Sequence, residues 1–151
     1  LMVSDHHLLE LIASGGELPL VLETLCRRME AHLPGALCSI MLLDADGLHL
    51  RHGAAPSLPP GYSRATDGVA IGPSAGSCGA SVSLGEQVIV EDIASSPLWV
   101  DYIGLAEQYG LRACWSTPFL SAARQVLGTF SIYYPVYYFN ISNQLSYQTG
   151  H

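Results

Sequence analysis

The feature that most constrains the fold is a pair of long apolar segments near the C-terminal end, Leu111–Leu120 and Gln125–Tyr134. Four residues separate them, so they predict adjacent antiparallel strands. Side chains alternate between the faces of a strand, and in the second segment the two sets differ in character. One set is apolar and the other mixes hydroxyl groups with aromatic rings: Val126, Gly128, Phe130, Ile132 and Tyr134 against Leu127, Thr129, Ser131 and Tyr133. This predicts a sheet covered on both faces, with a pocket on the more polar side. The alternative, that the hydroxyl groups bond nearby backbone, stays open.

The preceding chain predicts a mixed α and β domain. Apolar residues recur at helical spacing over residues 17–33, and a strand follows at 36–43. The Asp46-Gly47 pair predicts a hairpin turn into a return strand. Residues 53–75 predict a loop with one short helix near Tyr62. A helical turn at 76–84, a strand at 87–92 and a helix from Ser96 to Tyr109 complete the order. The pattern predicts an α+β fold rather than regular βαβ units.

Composition excludes several classes of protein. The chain has 151 residues, a formal net charge of −7 and six basic residues, all of them Arg. Without clustered cations, nucleic acid is not an expected partner. No apolar run approaches the roughly 20 residues that cross a bilayer, and the N-terminus does not resemble a signal peptide. We therefore expect a single cytoplasmic domain without membrane contact.

Cysteine and histidine spacing argues against a metal site. The four cysteines are far apart, which predicts reduced thiols rather than zinc ligands or a disulfide framework. Cys78 lies at a predicted helix start, where a thiol pKa can fall. It is the candidate reactive thiol, although a structural role is the more common one. Of the six histidines, His49 and His52 do not form a metal pair, but a single axial ligand suffices for haem, so haem stays open.

The glycine-rich stretch from Gly72 to Gly79 is compatible with two interpretations. It lacks the G-K-[ST] ending of a P-loop, and the chain contains no Lys, so a nucleotide-hydrolysing P-loop is excluded. Backbone amides at the helix start could still bind an anionic group. Tight packing beneath the sheet is the favoured interpretation.

Four stretches resemble bacterial GAF domains, in particular those of multidomain sensors with PAS, histidine-kinase or cyclic-di-GMP-turnover modules. They are G-S-C-G-A-S-V-S-L-G-E-Q-V-I-V-E-D-I (76–93), S-P-L-W (96–99), Y-G-L-R-A-C-W-S-T-P-F (109–119) and V-L-G-T-F-S-I-Y-Y (126–134). The resemblance implies a central antiparallel sheet of five or six strands with helices on both faces. It implies a pocket between the sheet and the 55–110 segments, and a homodimer formed through terminal helices.

Departures from the family pattern narrow the ligand. Cyclic-nucleotide-binding members carry a Lys in their signature, and this chain has none. Covalent bilin is not expected, because Asp101-Tyr102 stands where phytochrome-type members have Cys-His. GAF-fold free methionine-(R)-sulfoxide reductases have a Cys matching Cys78, but residues 93–110 lack their second catalytic Cys; Cys114 is the nearest substitute.

The predicted function is allosteric sensing of an unknown small molecule by residues 1–135, with any enzymatic output residing elsewhere in a parent protein. The predicted ligand-binding residues are Cys78, Trp99, Tyr102, Trp115, Thr117, Thr129 and Ser131. Two alternatives stay open: a methionine sulfoxide reductase, and a dimerisation or scaffold domain without a ligand. Residues 136–151 carry no charged side chain and no helical period, and we interpret them as an atypical tail.

Overall fold

The computed structural model describes residues 17–138. Within them the chain forms four α-helices, six strands and two 3-10 turns. In chain order these are α1 (Leu18–His32), β1 (Leu37–Leu43), β2 (His49–Ala54), α2 (Pro60–Thr66), β3 (Val69–Ala70), α3 (Gly76–Leu84), β4 (Val88–Val90), the 3-10 turns Ile93–Ser95 and Pro97–Trp99, α4 (Ile103–Gln108), β5 (Leu111–Leu120) and β6 (Val126–Pro135).

The strands form one antiparallel sheet in the order β3-β2-β1-β6-β5-β4. The first and last long strands of the chain are therefore neighbours at its centre, where Ser39 of β1 lies opposite Ser131 of β6. The predicted α+β class, the sheet of five to six strands and the β5–β6 pair are confirmed. The two-residue strand β3 was not predicted.

Helix α1 covers one face of the sheet. Pro19 lies in its first turn, where the missing amide has no helical partner to lose. Gly35, at φ +80°, turns the chain into β1. The helix agrees with the predicted 17–33 to within a residue at each end. The buried core between α1 and the sheet is apolar and consists of Leu22, Cys26, Ala36, Cys38, Ile40, Ala54 and Phe130.

The remaining helices and turns cover the opposite face and enclose a larger core. Helix α2 forms at Tyr62, as expected, and α3 ends at Gly85, at φ +69°. This second core contains the large side chains Met41, Leu50, Leu58, Tyr62, Ile93, Trp99 and Tyr133. The faces of β6 separate as the alternation predicts, with Phe130 in the α1 core and Tyr133 in the other.

The predicted continuous helix from Ser96 to Tyr109 is wrong. Ser96 does cap a helical start, since its hydroxyl accepts the Leu98 amide at 3.3 Å, but only a single 3-10 turn follows. Tyr102 leaves helical geometry at φ −123°, and α4 begins one residue later. The break places the Tyr102 ring edge-on to Trp99, with centroids 6.5 Å apart. Tertiary packing of these two rings overrides the local helix signal.

Within residues 17–138, no helix has the length and hydropathy needed to span a membrane. From residue 139 onward, the predicted tail lies outside the described residues, as do residues 1–16. The first three residues of the tail are described, and the amide of Val136 among them donates to the carbonyl of Gly110 at 2.8 Å.

Candidate functional site

Helix α3 lies flat on the hydroxyl-bearing face of the sheet. Its residues from Gly76 to Val82 are all buried. A Cβ on Gly76 would stand 3.6 Å from the Trp99 ring, and one on Gly79 would meet the Cβ of Ala75. The separation at Gly76 is an ordinary van der Waals contact, so Gly76 is required by its φ of +68° rather than by packing. Gly79 does allow close packing, as the favoured interpretation of the glycine-rich stretch expects.

The thiol of Cys78 is surrounded by hydroxyl groups from the sheet. Its sulfur lies 3.0 Å from Ser131 Oγ, 3.4 Å from Ser116 Oγ and 3.5 Å from the Tyr133 hydroxyl. The two serines also bond each other at 2.7 Å. Three hydroxyl groups on β5 and β6 therefore converge on one sulfur atom.

Further hydrogen bonds extend this group to the neighbouring elements. The Tyr62 hydroxyl donates to the Tyr133 hydroxyl at 3.0 Å, and the Trp99 indole donates to Ser77 Oγ at 3.0 Å. Beneath α3, the hydroxyls of Ser81 and Thr129 bond at 3.0 Å. The sheet hydroxyls thus bond both to the helical layer and within the sheet. Thr129 also donates to the Thr117 carbonyl of the neighbouring strand at 3.3 Å, so the alternative of bonding to backbone accounts for part of this face.

Two thiols, Cys78 and Cys114, lie in this network, and their pKa values are shifted in opposite directions. The pKa of Cys78 is lowered, chiefly by a hydrogen bond with Cys114 and then by Ser116, Ser131 and Tyr133, against the opposing effect of burial. The pKa of Cys114 is raised well above its ordinary value, mainly by burial. Hydrogen bonds to the charged form favour a thiolate at Cys78.

A small cavity lies between this network and the helical layer. Its volume is about 30 Å³, close to the share of liquid volume of one water molecule. None of the described residues that line it is charged. They are Met41, Tyr62, Thr66, Val69, Ala75, Gly76, Ser77, Cys78, Trp99, Tyr102 and Tyr133.

The structure brings five of the seven predicted site residues to this side of the sheet. Cys78, Trp99 and Tyr102 line the cavity itself. Ser131 lies behind Cys78 and bonds its sulfur, whereas Thr129 is buried under α3 against Ser81.

Trp115 and Thr117 lie on the opposite face. They pair with Ile132 and Phe130, whose side chains belong to the α1 core. Trp115 packs against Tyr134, with ring centroids 5.8 Å apart, and Thr117 accepts a hydrogen bond from exposed Gln87. The sequence grouped Trp115 with Trp99 because both follow the glycine-rich turn, but strand alternation sends its ring away from the cavity.

Sequence reasoning did not single out two aromatic residues of the cavity. Tyr133 shares the face of Thr129 and Ser131 in β6, so the alternation contained the signal for it. Tyr62 comes from the separate helix α2, and its bond to Tyr133 joins residues 71 positions apart. No local pattern indicates such a contact.

A wider groove of about 330 Å³ lies on the surface between the end of β2 and α2. It differs from the cavity in having charged residues in its lining, including Arg64 and Asp67. Among residues 17–138, no group of three or more His, Cys, Asp or Glu side chains is arranged to hold a metal ion.

The GAF domain model matches residues 17–143, and the chain belongs to the GAF domain family. It is similar to the methyl sulfide methyltransferase-associated sensor of Methanosarcina acetivorans, with 40% identity over 133 residues. The match covers 88% of this chain but 13% of that relative. Membership of this family and similarity to a sensor support a regulatory sensing role.

Solved structures share the fold. A GAF sensor protein of Burkholderia vietnamiensis superposes with a TM-score of 0.65 at 18% identity, over 87% of this chain and 75% of that one. Free methionine-R-sulfoxide reductase of Neisseria meningitidis, solved with its substrate, gives a TM-score of 0.57 at 16% identity, over 78% and 63%. At these identities the similarity concerns the fold alone.

Proposed function

We propose that this chain is the small-molecule-sensing domain of a larger signal-transduction protein and that its ligand binds in the cavity beside Cys78. The observation that carries the proposal is the cavity's lining, in which aromatic rings and the Cys78 thiol meet between the sheet and the helical layer. Concave sites of this kind, apolar with a few polar anchors, are typical of ligand pockets.

The lining selects a small, uncharged ligand. No described lining residue carries a charge that could pair with an ionic group, and burying an unpaired charge is costly. The similar sensor from Methanosarcina acetivorans is associated by name with a methyl sulfide methyltransferase. A methyl sulfide is uncharged and polarizable, and thioether sulfur packs favourably against aromatic rings. We therefore propose a ligand of this size and character.

Binding requires the cavity to open, because a volume of about 30 Å³ is room for a water molecule or two rather than for an organic ligand. Trp99 and Tyr102 belong to a segment of short turns, and the indole of Trp99 is held by a single hydrogen bond to Ser77. Outward movement of this segment enlarges the cavity without breaking the sheet. A ligand that binds the open form better shifts the population toward it, and this shift is the signal.

The two tryptophans provide a matched test. Trp115→Phe leaves Trp99 as the fluorophore beside the cavity, and Trp99→Phe leaves Trp115 on the opposite face. Titration with dimethyl sulfide should change emission saturably in Trp115→Phe and leave Trp99→Phe unaltered. A saturable change confined to Trp99→Phe, or no change in either variant at millimolar ligand, contradicts the proposal.

A second candidate function is reduction of free methionine sulfoxide. It is favoured by the position of Cys114 beside Cys78, which supplies the second thiol that the 93–110 segment lacks. It is disfavoured by the lining, since free methionine sulfoxide carries an ammonium and a carboxylate group. Thioredoxin-coupled NADPH oxidation tests it: turnover by wild type that Cys78→Ser abolishes would establish the enzyme.

A further inference from the structure

Cys78 and Cys114 are held on different elements, and their sulfurs share one hydrogen-bond partner, the Ser116 hydroxyl. Cys78 is on α3, and Cys114 is on β5, in register with Tyr133 on the same sheet face. The hydroxyl of Ser116 lies 3.4 Å from one sulfur and 3.6 Å from the other. Both residues are buried and both thiols are free. The arrangement joins a solvent-shielded thiol pair to a cavity.

Access to this pair is restricted by size and charge. Cys78 lines the cavity of about 30 Å³, whereas Cys114 lies behind it with no exposed surface. The opening suits a molecule little larger than water, and the uncharged lining suits a neutral one. Hydrogen peroxide meets both conditions, whereas glutathione disulfide is too large and too highly charged to enter.

We propose that Cys78 and Cys114 form a hydroperoxide-reactive dithiol, in which Cys78 is oxidised first and Cys114 then closes a disulfide between α3 and β5. This reaction is independent of the ligand-sensing function proposed above, although both use the same cavity.

The chemistry balances with hydrogen peroxide as the oxidant. The Cys78 sulfur attacks one peroxide oxygen, the O–O bond breaks, and the departing hydroxide takes the thiol proton and leaves as water. The Cys114 sulfur then attacks the sulfenic acid of Cys78, the S–OH bond breaks, and the Cys114 proton leaves with that hydroxyl as a second water. Two thiols are oxidised to one disulfide and one peroxide is reduced to two waters.

The hydroxyl groups around Cys78 suit it for the first step. Ser116 donates to its sulfur, and the hydroxyls of Ser131 and Tyr133 lie within hydrogen-bond distance of it. After the larger effect of Cys114, these contacts lower the pKa of Cys78 and favour the thiolate that attacks peroxide. Tyr133, whose own pKa is raised by burial, keeps its proton and remains a donor.

The chain contains internal controls. Cys26 and Cys38 are equally buried but lie in the apolar core under α1, where burial raises the pKa of each to about 12. Three hydroxyl groups surround the Cys78 sulfur, whereas the Cys26 thiol donates to the Ala54 carbonyl over a long 3.9 Å contact. These two thiols should therefore stay reduced under conditions that oxidise the pair.

The test is non-reducing peptide mapping of wild-type protein after brief exposure to a modest excess of hydrogen peroxide. We expect a peptide linked through Cys78 and Cys114, reversible by dithiothreitol, formed at least about tenfold faster than any oxidation of Cys26 or Cys38. Oxidation of all four cysteines at similar rates, or of Cys78 without the link, overturns the proposal.

Variants separate the two steps. Cys114→Ser should stop at the sulfenic acid and gain the mass of one oxygen atom, whereas Cys78→Ser should leave Cys114 reduced. Ser131→Ala should slow the first step while keeping the link. Oxidation of Cys114 in Cys78→Ser at the wild-type rate contradicts the assigned order. Failure of dimethyl sulfide to bind would leave these results unaffected, so the two proposals fail separately.

Discussion

Two glycines show how differently this fold tolerates one added methyl group. Gly128 lies in β6 between its neighbours β1 and β5, and a Cβ there would meet the Met41 carbonyl oxygen and stand 2.7 Å from Phe119 Cζ. Gly104, in α4, has no atom within 4 Å of the same position. The contact at Gly128 is with backbone, which cannot move without disturbing the strand pairing.

We predict that Gly128→Ala lowers the free energy of unfolding by about 1–3 kcal/mol through overpacking. Gly104→Ala should raise it by about 0.4–1 kcal/mol, because alanine restricts the unfolded chain. Urea denaturation of the two variants measures both. Equal stability of the two would mean that the β1–β6 spacing adjusts freely.

The sequence identified Cys78 because a thiol at a helix start is a local feature. It could not identify Ser116 or Tyr62 as partners of the same network, since their contacts depend on the order of strands in the sheet and on where α2 packs. Ser131 was identified through alternation in β6, and Trp115 was misplaced because alternation in β5 was not carried across to its neighbour.

At the scale of elements, Glu30 fastens α1 to the sheet. One oxygen of its carboxylate accepts the Cys38 amide at the start of β1 at 2.9 Å, and the other accepts the Ser57 hydroxyl at 2.8 Å. Glu23, two turns earlier on the helix, pairs with Arg27 in a largely exposed i,i+4 contact. A glutamate side chain therefore links the helix to the sheet at position 30, whereas at position 23 it forms a surface ion pair.

We predict that Glu30→Ala costs about 1–3 kcal/mol of unfolding free energy, because it leaves a partly buried amide without its acceptor. Glu23→Ala should cost about 0.5 kcal/mol or less. Glu30→Gln, which keeps an acceptor oxygen, should fall between the two. Thermal and urea unfolding of the three variants test the ranking. A loss of unfolding free energy in Glu23→Ala as large as in Glu30→Ala would contradict the role of Glu30 in holding α1 to the sheet.

Elements were predictable where periodicity was long and boundaries were marked by glycine or proline. Helix α1 meets both conditions. Strand β5 has a glycine before its start, at Gly110, and β6 has a proline at its end, Pro135, but the residues between them, 121–125, include neither type. The limits of all three elements agree closely with expectation. The segment from Ser96 to Tyr109 also has a proline start and a glycine end, yet it breaks at Tyr102. Its conformation is set by Trp99 and Tyr102, whose rings pack in the same core. Sequence periodicity does not encode that contact.

At the scale of the whole molecule, buried neutral groups set the alkaline limit of stability. Burial raises the pKa of Cys26 and Cys38 to about 12, and raises those of Tyr62 and Tyr133 above their ordinary value of 10. Each pKa is higher in the fold than in the unfolded chain. The stability these groups contribute is therefore fully present below the unfolded pKa and is lost as the pH rises through the folded one. Cys78, whose pKa is lowered, acts in the opposite direction, but its effect lies below the ordinary thiol pKa of 9 and not in the range where the other four groups act.

We predict that the free energy of unfolding declines steadily above pH 9, where half of the unfolded thiols are ionised, toward pH 12. Urea denaturation at intervals across this range measures the decline. Cys26→Ala should flatten the slope by the contribution of one proton, in a background that is less stable throughout. A stability that is constant over this range would show that these side chains ionise within the fold.

Strand β6 serves both cores at once, with Ser131 bonded to the Cys78 sulfur and its neighbour Phe130 packed in the core under α1. The two cores are consequently separated by a single sheet, and the side chains on its two faces share one backbone. Any event that shifts Ser131 displaces Phe130 by way of one peptide unit, and with it the contact surface of α1. Communication from the Cys78 thiol to helix α1 thus needs neither a hinge nor a chain of intermediate residues, because the central strand β6 contacts both.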